Sequence, residues 1–377
     1  MTSEMERVAD AIRAFEKGEM VVVMDDDDRE NEGDLIVAAV HCTAEHMAMM
    51  VRHTSGIVCA PMTGEEAKRL NLAPMVADND APHSTAFTVS VDYKHGTTTG
   101  ISAEERCTTV RGLANPNSGA ADFVRPGHIF PLVARSGGVL MRSGHTEAAV
   151  DLCNLAGLPP VGVISELVND DGTVMRGPRI AEFAVEKGLK TVTVADLIAY
   201  RQRQEKLVER VESFDTVTSA GPATAVTYKT EWDPMQQLAV VYGDIRDGRD
   251  VLVRLHIEDV LGDAFGGDSA LKEHLDLIAK EGRGVVVYLR EGSVGVAGGG
   301  IRHDEEETSG RHEPAFGDDA EVHGTAKSRK EEWLEIGLGA QILKDLGVSS
   351  IRLLASKERH YVGLSGFGIE ISETITS

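Results

Sequence analysis

The chain has 377 residues, which is enough for two domains of ordinary size. Its 38 basic and 61 acidic residues give a formal net charge of −23. This balance argues against a general nucleic-acid-binding protein, because such a protein needs a basic face that displaces counterions.

Cysteine usage and hydropathy narrow the class of protein further. All four cysteines lie in the first half and form no CxxC pair: Cys42, Cys59, Cys107 and Cys153. Since no signal peptide is apparent, we expect reduced thiols in a cytoplasmic protein. No apolar stretch approaches the roughly 20 residues of a membrane helix, so no membrane association is expected.

The N-terminal segment is predicted to be a helix followed by a strand. Ser3 and Glu6 form a capping-box pattern, and apolar residues then recur at helical spacing up to Gly18, a typical stop. Residues 20–24 are continuously apolar, which is typical of a buried central strand. A second strand is expected at residues 35–40.

Between these strands lies a loop of ten residues, 25–34, seven of which are acidic. Carboxylates packed this densely repel one another unless water, a metal ion or a cationic partner neutralises them. A metal-assisted active-site loop and a solvated acidic turn both fit the loop taken alone. A calcium loop beginning at Asp28 is excluded, because its twelfth position would be Ala39 where a bidentate Glu is required.

Elements alternate between helix and strand through the rest of the first half. Helices are expected at residues 44–53, 63–70, 102 onward, 146–155, 180–188 and 194–210, and strands at 56–61, 86–91, 128–134 and 161–167. Residues 112–126 are predicted to be a connector. The last helix, with its charged end, is predicted to join two domains.

Strand and helix patterns continue in the second half. Strands are predicted at residues 224–228, 237–242, 251–256, 284–289 and 351–355, and helices at 271–280 and 331–347. Residues 298–330 are rich in Gly, His, Glu and Asp and almost lack large apolar side chains, so we expect a mobile loop.

The segment Arg142-Ser-Gly-His-Thr146 has the residue types of a phosphate site. A glycine permits close approach of the backbone, and the helix that follows offers unpaired N–H groups at its start. Ser143 or Thr146 is expected to cap that helix. An ordinary capped helix start is the alternative interpretation.

Five segments, in order over residues 3–205, together resemble one enzyme family, 3,4-dihydroxy-2-butanone-4-phosphate synthase. They are Arg29-Glu-Asn-Glu-Gly-Asp34, Thr97-Thr-Thr-Gly-Ile-Ser102, Arg125-Pro-Gly-His-Ile-Phe-Pro131, Arg142-Ser-Gly-His-Thr-Glu147 and Ser165-Glu166. The resemblance implies conversion of ribulose 5-phosphate to 3,4-dihydroxy-2-butanone 4-phosphate and formate, with Mg²⁺ or Mn²⁺. It also implies a sugar phosphate as the bound partner and a homodimer with the site at the subunit interface.

The resemblance assigns roles to individual residues. Glu30 and His145 would be the metal ligands. Asp34, Glu32, His128 and Glu166 are the expected catalytic residues, the first two as proton-transfer candidates. Substrate contacts are expected from Arg29, Glu30, Asp34, Thr99, Arg142, Ser143, Gly144, His145, Thr146 and Glu166. Cys59 is a weaker candidate that could equally be a small core residue.

Several framework segments of the second half, among them Asp250-Val-Leu-Val-Arg-Leu-His256 and Glu281-Gly-Arg-Gly-Val-Val-Val-Tyr-Leu-Arg290, resemble GTP cyclohydrolase II. The residues that carry the chemistry depart from that family. Asp259 stands where the family has a first zinc-binding cysteine, and no cysteine follows Phe265. The sequence also differs from that family at three other places. These are the substrate loop near residues 291–295, Leu334 where the family has a catalytic Arg, and the run at 355–360. Zinc is therefore not expected.

The expected fold class is α/β (α+β). A three-layer, mixed-sheet synthase domain in residues 1–208 is followed by a smaller α/β domain in residues 213–377, expected to lack cyclohydrolase activity. The alternatives are a bifunctional enzyme that also has GTP cyclohydrolase II activity, and a synthase with a C-terminal regulatory or binding module.

Overall fold

A computed structural model describes residues 4–25, 30–81, 85–232, 235–265, 270–290, 337–355, 364 and 368–376. The chain divides into two compact units, Met1–Gln204 and Glu205–Ser377. Each unit is built on a mixed seven-stranded sheet, which confirms the α/β prediction. Among the helices that these ranges contain, none has both the length and the hydrophobicity needed to cross a bilayer.

The sheet of the first unit has the order β4-β5-β3-β6-β2-β1-β7. Its strands are β1 (Val21–Met24), β2 (Gly33–Ala38), β3 (Cys59–Met62), β4 (Val91–Tyr93), β5 (Phe123–Val133), β6 (Gly162–Glu166) and β7 (Lys190–Thr193). The pairs β1–β2 and β2–β6 are antiparallel, whereas β3–β5 and β1–β7 are parallel. The ends of β2 and β6 therefore bring Asp34 directly opposite Glu166.

Helices cover both faces of this sheet, so the unit has three layers. They are α1 (Glu4–Glu16), α2 (Ala44–His53), α3 (Gly64–Arg69), α4 (Ala103–Ala114), α5 (His145–Leu155), α6 (Pro178–Lys187) and α7 (Val194–Gln204). Val21 and Val23 pack in one core with α1, α5 and α7, while Val22 packs on the other face with α2, α4 and α6. This alternation is the two-residue period of a strand buried on both sides.

The second unit has the sheet order β14-β13-β11-β12-β10-β9-β8. Its strands are β8 (Glu209–Thr218), β9 (Gly221–Lys229), β10 (Gln237–Tyr242), β11 (Val251–Ile257), β12 (Gly284–Leu289), β13 (Ser350–Ala355) and β14 (Glu370–Thr376). Its described helices are α8 (Val260–Phe265), α9 (Ala270–Glu281) and α10 (Gly339–Asp345). Ile278 of α9 packs against Leu252 and Val286 of the central strands.

Two predicted elements differ from the structure in kind. The predicted helix 194–210 ends at Gln204, and Glu209 begins the edge strand β8. The side chains of β8 are mostly exposed, so its sequence shows no apolar alternation; pairing with β9 makes it a strand. The predicted strand 86–91 forms only isolated bridges at Phe87 and Thr88 before β4 begins.

Other differences concern boundaries and coverage. The strand expected at 128–134 already begins at Phe123, inside the predicted connector. The strand expected at 35–40 ends at Ala38 in a short 3₁₀ turn. The predicted loop 298–330, the first residues of the helix expected at 331–347 and the capping residue Ser3 lie outside the described residues.

Candidate active site

The described end of the acidic loop is hydrogen-bonded to the side chain of Asp25, the residue that follows β1. One carboxylate oxygen of Asp25 accepts a hydrogen bond from the backbone N–H of Glu32 at 2.8 Å, and the other accepts from the N–H of Glu30 at 3.2 Å. Asp25 itself is buried. Asp25 therefore holds the backbone of Glu30 and Glu32 in place.

The first residue of α5, His145, reaches this loop from a distant part of the chain. Its Nδ1 atom lies 3.7 Å from Asp34 Oδ1 and 3.9 Å from Glu30 Oε2. Asp25, Glu30 and His145 each offer one ligand atom, and these three atoms lie within 4.8 Å of one another. The two predicted ligands are thus adjacent, and Asp25 is a third that the sequence did not single out.

These three side chains fit a hard divalent cation. Carboxylate oxygens and one imidazole nitrogen are donors that suit Mg²⁺ or Mn²⁺, and the group contains no thiolate. Asp34 Oδ1 is buried and has no hydrogen-bond partner among the described residues, so a negative charge on Asp34 would be uncompensated beside the group. A cation at Asp25, Glu30 and His145 would compensate that charge.

Asp34 and Glu166 lie opposite each other on the neighbouring strands β2 and β6, next to the cluster formed by Asp25, Glu30 and His145. Asp34 is only 2% exposed. Burial, followed by the charges of Glu166 and Glu30, raises the pKa of Asp34 well above its usual range. Burial and then the charge of Glu30 also raise the pKa of Glu166. A raised pKa brings a carboxyl group closer to the pH range in which general acid–base catalysis is efficient.

Glu32 and Cys59 lie at the edge of the same cluster. Burial and the charges of Glu166 and Glu30 raise the pKa of Glu32, although Arg176 donates a hydrogen bond to it at 3.3 Å. Cys59 begins β3 beside β6, and burial together with the charges of Asp34 and Glu166 raises the pKa of its thiol. Cys59 therefore borders the site as a neutral thiol.

The start of α5 differs from the prediction. The N-cap is Gly144, which has no side chain to cap the helix, and Thr146 lies within the first turn. A Cβ atom at Gly144 would lie 2.4 Å from Arg142 Nη1 and 3.0 Å from Glu147 Oε2. Glycine is therefore needed here to make room for the Arg142 side chain, and the expectation that Ser143 or Thr146 caps the helix was wrong.

Arg142 is held by a buried carboxylate. Its Nη1 donates to Glu147 Oε2 at 2.6 Å and its Nη2 donates to Thr85 Oγ1 at 3.0 Å. The other Glu147 oxygen accepts from the backbone N–H of Arg135 at 2.9 Å. The guanidinium thus lies next to helix N–H groups that no side chain at Gly144 caps, an arrangement suited to an anion.

His128 belongs to a second cluster on the same sheet. It lies on β5, which β3 separates from β6, and its Nδ1 lies 2.7 Å from Asp92 Oδ2. A Cβ atom at Gly100 would lie 2.1 Å from that same Asp92 oxygen, so the loop that carries Thr99 packs against Asp92. Thr99 is exposed there. The Thr99 loop thus packs against the carboxylate that contacts His128, and β3 lies between the strand of His128 and the strand of Glu166.

Sequence reasoning overlooked three buried carboxylates: Asp25, Asp92 and Glu147. Each was inconspicuous for a different reason. Asp25 is the first of four consecutive aspartates, Asp92 lies in the middle of a three-residue strand, and Glu147 is the last residue of the segment whose arginine it holds. The predicted substrate contact Arg29 lies outside the described residues.

Comparison with known proteins decides the family. A profile of 3,4-dihydroxy-2-butanone 4-phosphate synthase matches residues 9–200, and one of GTP cyclohydrolase II matches residues 209–376. The chain belongs to the 3,4-dihydroxy-2-butanone 4-phosphate synthase family. It is an enzyme of riboflavin biosynthesis with this synthase activity, and its synthase domain is followed by a domain of the GTP cyclohydrolase II family.

Relatives of the synthase include both bifunctional and monofunctional proteins. The bifunctional riboflavin biosynthesis protein RIBA 1 of Arabidopsis thaliana is 47% identical over 97% of this chain and 67% of its own length. The monofunctional protein RIBA 2 of the same organism is also 47% identical, over 97% of this chain and 75% of its own length. Overall sequence identity therefore does not distinguish a bifunctional relative from a monofunctional one.

Solved structures of synthases match the fold. RibBX, a two-domain 3,4-dihydroxy-2-butanone 4-phosphate synthase from A. baumannii, has a TM-score of 0.79 and 36% identity, covering 98% of this chain and 100% of that one. A synthase in complex with two magnesium ions has a TM-score of 0.50 and 49% identity, covering 52% of this chain and 97% of that one. A divalent metal is consistent with the ligand group found here.

Proposed function

We propose that the synthase reaction takes place at the cluster of Asp25, Glu30, Asp34 and His145. The observation that carries this proposal is the convergence of three metal-ligand atoms within 4.8 Å, beside a buried carboxylate whose pKa is raised. Mg²⁺ or Mn²⁺ would be held by Glu30 and His145, with Asp25 as a further candidate ligand. When bound, such a cation would bind substrate oxygens and stabilise the negative charge of an enediolate.

The carboxylates around this group would transfer the protons of the reaction. Enolisation and loss of a carbon require removal and return of protons at hydroxyl and carbon positions. Asp34, Glu166 and Glu32 all have raised pKa values and lie around the same point. Glu30 carries the charge that contributes to all three shifts. The proposed metal ligand and the proposed acid–base groups are therefore electrostatically coupled.

The phosphate group of ribulose 5-phosphate would bind at the start of α5. Arg142 and the backbone of Ser143, Gly144 and Thr146 surround the helix terminus, next to His145 in the metal group. A sugar phosphate bound there would have its carbon chain directed toward the acidic cluster. Glu147 holds Arg142 in place, so the guanidinium is ordered before the ligand binds.

We further propose that two copies of the chain complete the site between them. His128, on β5, is 41% exposed at its side chain, and β3 lies between β5 and the strand of Glu166. A homodimer would allow His128 and Thr99 of one copy to face the Glu30 cluster of the other. The cytoplasmic location expected from the cysteines stays a prediction.

Mixing two inactive variants tests this arrangement. If His128 acts across the interface, His128→Ala and Glu30→Gln should each be inactive alone. Co-refolded in equal amounts, they should regain about a quarter of the wild-type activity, because half of the dimers carry one intact site. The measurement is formate release, with each variant refolded alone as the control. No recovery, in heterodimers verified by mass, would show that both residues serve the same copy.

We propose that the second domain lacks cyclohydrolase activity. At the position of the first zinc-binding cysteine, Asp259 Oδ1 accepts a hydrogen bond from the backbone N–H of Gly262 at 3.1 Å, which is a structural role. His256, a conceivable zinc ligand, has its Nε2 2.9 Å from Asp263 Oδ1. The second half of the chain contains no cysteine. These features, together with a two-domain synthase among the structural relatives, favour a retained fold with another role.

The alternative is a bifunctional enzyme, favoured by the similarity to RIBA 1. We expect purified protein to contain no stoichiometric zinc and to leave GTP unchanged, because soft thiolate ligands are missing. Metal analysis and GTP consumption measure this, with a verified bifunctional relative as the positive control. One zinc per chain together with GTP turnover would establish the bifunctional alternative.

A further inference from the structure

Helix α5 carries two buried carboxylates one helical turn apart, Glu147 and Asp151. Residues four positions apart lie on the same face of a helix. Both side chains contact the loop that leads into α5. Glu147 holds the guanidinium of Arg142 at the end of this loop. Asp151, which is only 4% exposed, contacts an earlier part of the same loop.

Asp151 holds the turn formed by residues 137–139. Its Oδ2 accepts a hydrogen bond from the backbone N–H of Val139 at 2.9 Å. A Cβ atom at Gly138, whose φ is +63°, would lie 2.1 Å from Asp151 Oδ1. Only glycine therefore leaves room for the carboxylate against the backbone of the turn. Because Gly138 and Val139 are buried, a polar backbone group left unpaired there would destabilise the turn.

Arg201 of α7 bonds to the same turn and to the same carboxylate. Its Nη1 donates to the carbonyl oxygen of Gly137 at 2.8 Å and to Asp151 Oδ2 at 2.8 Å. The side chains of Arg201 and Asp151 are 11% and 5% exposed, so solvent screens this ion pair less than a surface pair. The turn is thus attached to both α5 and α7.

The turn is bonded directly to the backbone of Arg142. The carbonyl oxygen of Gly138 accepts hydrogen bonds from the N–H of Met141 at 2.9 Å and from the N–H of Arg142 at 3.1 Å. A displacement of Gly138 would therefore move the backbone that carries the guanidinium. Glu147 fixes the tip of the Arg142 side chain, whereas Asp151 and Arg201 fix the turn to which its backbone is attached.

We propose that Asp151 and Arg201 are positioning residues for the substrate's phosphate group. They hold the turn at 137–139 and thereby place Arg142 at the start of α5. This inference rests on the proposed function, in which the phosphate binds there. Neither Asp151 nor Arg201 needs to touch the substrate.

Arg201→Gln removes the charged donor that holds the turn. The phosphate group is retained in the product, so its contacts are made in the ground state and in the transition state alike. Loss of such contacts raises KM and leaves kcat unchanged. We expect the KM for ribulose 5-phosphate to rise roughly 10–100-fold, with kcat changed by less than about threefold. Asp151→Asn, which keeps the shape of the side chain and removes its charge, should raise KM as well.

Arg7→Gln is the matched control, because it breaks another ion pair of α7. Arg7 of α1 donates to Asp196 of α7 at 2.9 and 2.7 Å, outside the turn at 137–139. Arg7→Gln and Arg201→Gln should both lower Tm, but Arg7→Gln should keep the wild-type KM. An equal rise in KM in the two variants would show that loosening α7 is sufficient, and it would overturn the inference.

Arg142→Gln distinguishes this inference from the proposed function. If Arg142→Gln keeps the wild-type KM, the proposed phosphate site fails, and this inference fails with it. If Arg142→Gln raises KM while Arg201→Gln and Asp151→Asn leave it unchanged, only the roles of Arg201 and Asp151 fail. Should Arg201→Gln not fold, Asp151→Asn decides, because a wild-type KM in that variant would overturn the inference.

Discussion

Glu30→Gln and His145→Ala should each abolish formate release from ribulose 5-phosphate while the protein stays folded. Both side chains belong to the ligand group within 4.8 Å. His145→Ala removes one ligand atom, and Glu30→Gln replaces a charged carboxylate ligand with a neutral amide. Loss of correctly placed charge stabilisation of this kind costs on the order of 10³-fold or more in kcat. Steady-state kinetics with saturating Mg²⁺ measure the effect, and circular dichroism verifies the fold.

Metal binding gives an independent readout for the same two variants. Mn²⁺ binding, followed by electron paramagnetic resonance, should be tight in the wild type and strongly weakened in both variants. Glu182→Gln is a suitable control, because Glu182 is exposed and pairs only locally with Arg179 on α6. Wild-type Mn²⁺ affinity and Mg²⁺-dependent turnover in Glu30→Gln or His145→Ala would refute the metal assignment.

Asp34→Asn should inactivate the enzyme and at the same time stabilise the metal-free protein. Asp34 is buried beside the charges of Glu166, Glu30 and Glu32, with one oxygen lacking a hydrogen-bond partner among the described residues. A neutral amide of the same shape removes that repulsion, as is common for residues kept for function. The expected loss of kcat is about 10²–10⁴-fold if Asp34 transfers a proton. Each kcal/mol gained raises Tm by roughly 2–4 °C.

The pH dependence of this stabilisation has a defined sign. Because the folded-state pKa of Asp34 is raised above the usual value of 3.8, the folded state binds more protons than the unfolded state between those two values. The contribution of Asp34 to stability is therefore complete below pH 3.8 and is lost as the pH rises through the folded-state pKa. The gap in Tm between Asp34→Asn and wild type should widen as the pH rises over that window.

Calorimetry of metal-free wild type and metal-free Asp34→Asn over a series of pH values tests whether the difference in Tm widens as the pH rises. Adding Mg²⁺ should raise the Tm of the wild type, since a cation compensates the same charge. A Tm for Asp34→Asn below that of the wild type at every pH would contradict the electrostatic account of the cluster.

The sequence allowed prediction of those parts of the fold that depend on local pattern. The apolar runs of β1, β10 and β12 and the helix expected from residue 102 onward lie where the pattern predicted them. Only the first two residues of the edge strand β8 were predicted as the end of a helix, and the rest of β8 was assigned no element, because its charged residues show no apolar period. Its strand conformation depends on pairing with β9, which is a tertiary contact.

The candidate site also depends on tertiary contacts that a local sequence pattern does not reveal. Glu30 and His145 could be paired in advance only through a family resemblance, since 115 positions separate the two in the chain. Asp25, Asp92 and Glu147 act through residues that are distant in sequence or through backbone N–H groups. Their roles become visible only when the sheet and α5 are assembled, although Glu147 itself is the last residue of one family segment.

One measurement tests the central claim, that the synthase domain provides the enzyme's activity and the second domain provides no cyclohydrolase activity. The full chain is incubated with Mg²⁺, uniformly ¹³C-labelled ribulose 5-phosphate and unlabelled GTP, and ¹³C NMR follows formate while chromatography follows GTP. The account predicts ¹³C-formate at a steady rate that EDTA stops, and GTP that stays at its starting concentration. Absence of ¹³C-formate, or consumption of GTP by the purified chain, would contradict it.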